Sequence, residues 1–212
     1  MAVKETSVKD VMTTNVVAVR EEATFKEMVA ALHSFRISAF PVLDATDRVI
    51  GVVSEDDLLA KEAGPALGRR AWHPKERAKA TGVTAADVMT APAVTITENA
   101  SAGEAAALMR SRRVKRLPVV DRDGRIRGIV SRVDVLTVYE RPDREIWDEA
   151  VKGVLVSEFG LDPELFMVTV RSGVVTVTGS IAKRADALGV LNAIRHLEGV
   201  VALRDRLSYP AA

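Results

Sequence analysis

The chain repeats itself. Displaced by 77 positions, Asp10-Val11-Met12-Thr13 falls on Asp87-Val88-Met89-Thr90, Pro41-Val42 on Pro118-Val119, Gly51 on Gly128, Ser54 on Ser131 and Asp57 on Asp134. Between positions 10 and 59 the displacement gives 20 identities in 50 positions without a gap. Self-similarity at a fixed period marks two copies of one supersecondary unit, whose apolar faces are buried against each other.

Each copy reads the same way. A short β-branched run opens it (Val16-Val17-Ala18-Val19; Val94-Thr95-Ile96), and a helix follows behind a capping box, Thr24-x-x-Glu27 or Ser101-x-x-Glu104. Met28, Leu32 and Phe35 give helical apolar spacing in the first copy, and Ala105, Leu108 and Met109 in the second. Two strands come next: Phe40-Pro41-Val42-Leu43 then 49–53, and Leu117-Pro118-Val119-Val120 then 126–130. Asp123-Gly124 suits a tight turn in the second copy. A last helix starts near Ser54 and near Ser131, so the unit is β-α-β-β-α. Between the copies, residues 61–80 carry six basic and two acidic residues, with Trp72, His73 and two prolines; this reads as a solvated basic linker.

After Arg141-Pro142 the pattern changes. Ile146, Ala150, Val151, Val154 and Leu155 make one face of an amphipathic helix over 143–159. Phe166-Met167-Val168-Thr169-Val170 and Val174-Val175-Thr176-Val177-Thr178 flank Arg171-Ser172-Gly173 as a hairpin. A second helix carries Leu188, Leu191, Ile194 and Leu197, with Gly199 placed as its C-terminal cap, and a strand over 200–207 ends the series. The order α-β-β-α-β implies a small sandwich of two helices on three strands.

The chemistry centres on Gly51-Val52-Val53-Ser54-Glu55-Asp56-Asp57 and Gly128-Ile129-Val130-Ser131-Arg132-Val133-Asp134, where a strand becomes a helix. Such a junction presents free N–H groups and the positive end of a helix dipole, which suits a phosphate. A serine hydroxyl adds a hydrogen bond, and a carboxylate three residues on can accept both hydroxyls of a ribose. Ser-x-x-Asp is equally the spacing of an ordinary N-terminal cap. The same glycine and the same spacing twice over tip the reading toward a site.

These motifs together resemble the CBS domain, whose tandem pair is called a Bateman module, over about 8–140. Residues 143–209 resemble a BON domain through Val-x-Val-x-x-Gly-Val-Val-Thr-Val-x-Gly and a later Gly-Val. The resemblance implies an α/β and α+β chain: CBS domain 1 at 8–62, a basic linker at 63–84, CBS domain 2 at 85–140 and a BON sandwich at 143–209, the CBS copies being related by pseudo-twofold symmetry. It implies two composite clefts for an adenine nucleotide (AMP, ADP or ATP, with NAD or S-adenosylmethionine as further candidates). In one, Ser54 and Asp57 face Val114, Lys115 and Arg116; in the other, Ser131 and Asp134 face Ile37, Ser38 and Ala39. Val16 and Ala93 complete the adenine pockets, and Pro41 and Pro118 lie on the cleft strands. Lys115 and Arg116 offer charge-assisted bonds to phosphate where the first copy has Ser38 and Ala39, so the Asp57 cleft is expected to prefer a more highly phosphorylated ligand or to bind the same one more tightly. The resemblance also implies a homodimer through the CBS pair, and a protein or anionic phospholipid partner for the BON domain.

Other functions find little purchase. No Walker loop or dinucleotide fingerprint is present, and His33, His73 and His196 share no ligand spacing, so neither an enzyme nor a required cofactor is expected. With no cysteine there is no thiolate metal site, and no metal is expected. A net charge of +1 and 4% aromatic residues argue against nucleic acid as a partner. No apolar run follows a basic start and none approaches a membrane span, so the chain is expected to be cytoplasmic.

Overall fold

The reciprocal capping boxes form as the sequence predicts. Glu27 accepts from the Thr24 N–H at 2.7 Å and Glu104 from the Ser101 N–H at 2.7 Å, opening helices α2 (Phe25–Phe35) and α5 (Ala102–Arg112). Both helices end on an arginine in the left-handed region, Arg36 (φ 51°) and Arg113 (φ 57°). The computed structural model describes residues 5–67 and 81–208; residues 68–80 of the basic linker, with Trp72 and His73, lie outside them. The chain divides into two compact units, one of Ser7–Asp134 and one of Met1–Thr6 with Val135–Ala212.

In the first unit, each repeat builds a three-stranded sheet of the same topology. Strand β1 (Val19–Arg20) lies parallel to β2 (Ala39–Leu43), which pairs antiparallel with β3 (Val49–Ser54); β4 (Ile96–Thr97), β5 (Arg116–Val120) and β6 (Ile126–Ser131) repeat the order. Helix α3 (Glu55–Leu67) leaves β3, and α6 (Arg132–Leu136) leaves β6. The opening strands are shorter than the β-branched runs predict. Only Val19 and Arg20 come alongside Val42 and Leu43, because the chain before them runs along the other repeat.

That excursion departs from the self-contained β-α-β-β-α unit. Each repeat begins with a short helix, α1 (Val8–Val11) or α4 (Ala85–Val88), docked on the opposite copy. The Val8 N–H donates to the Ala100 carbonyl at 2.8 Å, and the Ala85 N–H to the Ala23 carbonyl at 2.9 Å. Thr13 bridges to Ile129, and Thr90 to Val52. Every such contact has a twin 77 positions away on each side, which is the signature of a pseudo-twofold axis. Ala85 and Val88 are fully buried in a core with Met28, Phe40, Val42 and Val53 of the first repeat.

The duplicated glycines are required by this exchange. A Cβ on Gly51 would lie 2.4 Å from the Met89 sulfur, and one on Gly128 would lie 2.6 Å from the Met12 sulfur and 3.0 Å from the Thr13 carbonyl. Each repeat therefore accepts the other's methionine against bare backbone.

The second unit has the predicted order of elements. Helix α7 (Asp143–Asp148) runs on as a π-helix over Glu149–Glu158, and buries Ile146, Ala150, Val151, Val154 and Leu155. Strands β7 (Phe166–Arg171) and β8 (Val174–Ser180) form a hairpin, and β9 (Ala202–Ser208) lies parallel to β8 at the edge. The hairpin turns on Ser172 (φ 49°) and Gly173 (φ 72°), whose N–H groups both donate to Asp143 at 2.7 Å. Helix α8 (Arg184–Arg195) packs through Ala187, Val190, Leu191 and Ile194, and leaves Leu188 exposed. It ends at Arg195, so Gly199 is not its cap. Gly199 (φ 84°) instead turns the chain toward β9 against Ile146, whose Cδ1 lies 2.9 Å from where a side chain would start.

Two outcomes follow for stability. Gly128→Ala is expected to destabilise the protein by about 1–3 kcal/mol through overpacking, and Gly51→Ala by less, since only the flexible Met89 must give way there; urea denaturation measures both. Backbone donors hold the capping carboxylates of Glu27 and Asp87 below the ordinary carboxylate range, from Thr24 and Val83 respectively. A folded pKa below the unfolded one adds stability that is complete above the unfolded value and is lost as pH falls through the folded one. The urea midpoint is therefore expected to drop on acidification below about pH 4, and Asp87→Asn to reduce that drop.

Candidate functional site

At the β3–α3 junction the Asp57 carboxylate turns back on the residue that begins the turn. Its Oδ2 accepts from the Ser54 N–H and from the Ser54 hydroxyl, both at 2.8 Å. At the β6–α6 junction Asp134 Oδ2 accepts from the Ser131 N–H at 2.7 Å. The cap geometry is thus formed in both copies, and it fixes where each carboxylate stands. The other oxygen of Asp57 accepts from the hydroxyl of Thr90, at 3.2 Å, from the opposite repeat.

Asp57 stands on a cavity of about 200 Å³ whose walls come from both repeats. Ser38, Ala39 and Ser54 line it from the first copy, and Ala93, Val114, Lys115 and Arg116 from the second. Val114, Lys115 and Arg116 thus stand around Ser54 and Asp57 as the sequence predicts; Ala93 joins them, and so do Ser38 and Ala39, which the sequence places in the other cleft. Val16, Ile37, Pro41, Pro118, Ser131 and Asp134 do not line this cavity. Pro41 and Pro118 are buried within β2 and β5, opposite Val52 and Ile129, while Ile37 lies in a shallow groove with His33, Arg36 and Glu55. The sequence reading left out Thr90, Val94 and Arg113, which also line the wall. Thr90 was within reach, because it closes the duplicated Asp-Val-Met-Thr motif.

The charged groups on the wall are not symmetric. Lys115 Nζ stands 3.9 Å from Asp56, both side chains being well exposed. Arg116 is half-buried and reaches across the repeat boundary: its guanidinium donates to the Ala39 carbonyl at 3.3 Å and to the Ser38 hydroxyl. Ala39 is Arg116's own counterpart, 77 positions earlier, so this contact lies on the pseudo-twofold axis. Burial pulls the Arg116 pKa below the ordinary guanidinium value, against the opposing pull of Glu55 and Asp134. The two copies thus present one guanidinium at the axis, where strict symmetry would place two.

Among the described residues there is no cluster of three or more metal-ligating side chains, and no helix is long and apolar enough to cross a membrane. His33 is exposed, and His196 Nδ1 lies 2.7 Å from the Asn192 carbonyl oxygen. Neither belongs to the cavity.

Known proteins are similar to this chain over its two repeats. The chain is 31% identical over 133 residues to the chloroplastic CBS domain-containing protein CBSX1 of Arabidopsis thaliana, a match spanning 56% of each chain. It is 30% identical over 127 residues to the inosine-5'-monophosphate dehydrogenase of Methanocaldococcus jannaschii, covering 60% of this chain but 22% of that one. The latter match lies in CBS regions of the enzyme and carries no catalytic function across. Among solved structures, CBSX2 of Arabidopsis thaliana in complex with AMP superposes with a TM-score of 0.55 at 28% identity, covering 62% of this chain and 94% of that one. The CBS domain pair of protein MJ0100, in complex with 5'-methylthioadenosine and S-adenosyl-L-methionine, has the same fold at 20% identity, with a TM-score of 0.54 and 65% and 98% coverage. The CBS domain family itself matches residues 8–64 and 85–141, the two repeats. Through these two repeats the chain belongs to the CBS domain family.

Proposed function

We propose that this protein is a non-catalytic sensor that takes an adenosine-containing ligand in the clefts between its repeats. The observation that carries the reading is the setting of Asp57. Its carboxylate is fixed by Ser54 on one side and by Thr90 of the other repeat on the other, at the wall of a cavity closed by Ala93, Val114 and Arg116. The carboxylate accepts the ribose hydroxyls. Ala93 and Val114 hold the adenine between apolar surfaces, with Val16 and Ile37 doing so in the second cleft. Ser54, Lys115 and Arg116 meet phosphate, and Ser131 and Asp134 repeat the ribose site. AMP on CBSX2 supports the ligand class. Ligand contacts drawn from both copies stabilise one arrangement of the repeats, by the difference in affinity between arrangements.

The CBS domains would occupy 8–62 and 85–140, joined by the basic linker at 63–84, and pair with a second copy as a homodimer. A BON-like domain at 143–209 would carry the output.

The test is a thermal-shift panel of AMP, ADP, ATP, NAD, NADH and S-adenosylmethionine on protein refolded free of copurified ligand. At about 100 times its dissociation constant a ligand adds ~2.7 kcal/mol, which raises Tm by roughly 5–10 °C in a chain of this size. Asp57→Asn and Asp134→Asn are each expected to weaken binding in a folded protein. Loss of about 0.5–2 kcal/mol of stability with unchanged affinity would reduce both aspartates to caps.

A second role rests on the uncovered face of the β7–β8–β9 sheet. Arg171, Arg204 and Arg206 are exposed there among Thr169 and Thr178, and the alternate positions of the three strands that share this face include no carboxylate. Such a face suits an anionic phospholipid surface or an acidic protein. Flotation with anionic vesicles is expected to carry the protein upward, and Arg171→Glu with Arg204→Glu and Arg206→Glu to abolish flotation. Equal flotation of the triple variant would exclude the sheet.

A further inference from the structure

One cation reaches across the boundary between the two repeats. A residue that touches its own repeat counterpart lies on the pseudo-twofold axis, and Arg116 does so through the Ala39 carbonyl and the neighbouring Ser38 hydroxyl. The same guanidinium lines the Asp57 cavity, with Ser38 and Ala39 on the opposite wall. The first copy supplies alanine where the second supplies arginine, so the axis holds one guanidinium, on the wall of the Asp57 cavity and on the strand residue paired with Ser131. Lys115 stands beside Asp56, on the Asp57 side.

Resting on the nucleotide reading above, we infer that Arg116 couples the two clefts negatively: the first phosphate to reach the axis takes the guanidinium, and a second phosphate-bearing ligand finds it committed. The Asp57 cleft fills first, because Lys115 adds a second cation there. Binding draws Arg116 away from Ser38 and Ala39, so the strand start of the first repeat loses a tie to the second. The guanidinium forms charge-assisted bonds to phosphate that it cannot form to a neutral nucleoside. The coupling therefore acts on nucleotides and spares adenosine.

Isothermal titration of the full chain with AMP and with adenosine tests this. AMP is expected to bind in two phases at least tenfold apart in affinity, the tighter removed by Asp57→Asn and the weaker by Asp134→Asn. Adenosine is expected to bind both clefts within about threefold of each other. Arg116→Ala is expected to narrow the gap between the two AMP phases by weakening the tight one about tenfold, with adenosine unchanged; Lys115 accounts for the gap that remains. Arg116→Met, which keeps the apolar stem, is expected to do the same and guards against a packing defect. An AMP gap that stays as wide in both variants, or an equal gap with adenosine, would overturn the coupling while leaving the nucleotide site standing. No heat with either compound would overturn the nucleotide reading and the coupling with it.

Discussion

The sulfur of Met89 lies too close to Gly51 for a side chain to begin there, and that of Met12 too close to Gly128. This reciprocal seating makes a single body of two copies. Once Met89 rests on the first sheet, the residues after it follow: Thr90 pairs with Val52 and brings its hydroxyl to Asp57. Ala93 and Val94 then reach the cavity wall. The site is a by-product of the exchange, because the segment that closes the core of one repeat continues into the cleft beside it.

The same logic explains why a capping carboxylate stands at a cavity. A carboxylate three residues into a helix is normally positioned by its own N-terminal N–H groups, and Ser54 and Ser131 position these two in that way. Nothing in the cap itself makes a cleft. What differs here is the surroundings, since the strand–helix turn that carries Asp57 faces the other repeat across a cavity.

Much of this was legible in the residues. The capping boxes gave the helices, alternation and turn residues gave the hairpins, and the duplicated Gly-x-x-Ser-x-x-Asp located the junctions. The exchange of leading segments was not legible, because Val8–Val11 and Ala85–Val88 are single helical turns, too short to show a period. Their partner is chosen by tertiary packing. A clue was present in the pairing of a methionine with a glycine retained in both copies, large and flexible against small. Arg116 was read as pointing to phosphate, but its reach to Ser38 and Ala39 depends on the axis, which periodicity cannot locate. In the second unit, Gly199 looked like a helix cap because it follows Leu197 on the apolar stripe, yet the helix ends at Arg195 and the glycine serves the turn beyond.

The crossing arms also set an order of assembly during synthesis. The first repeat is complete in sequence by about residue 60, but its core includes Ala85 and Val88, which the ribosome has not yet delivered. The second repeat holds its counterpart arm from the outset, since Val8 and Thr13 emerge long before Ala100 and Ile129, the residues they bond. A nascent chain therefore carries one sheet that waits for its arm and one arm that waits for its sheet. The first sheet closes its core once residues 85–90 have cleared the exit tunnel, and the second takes up its arm only when the strand Ile126–Ser131 has followed.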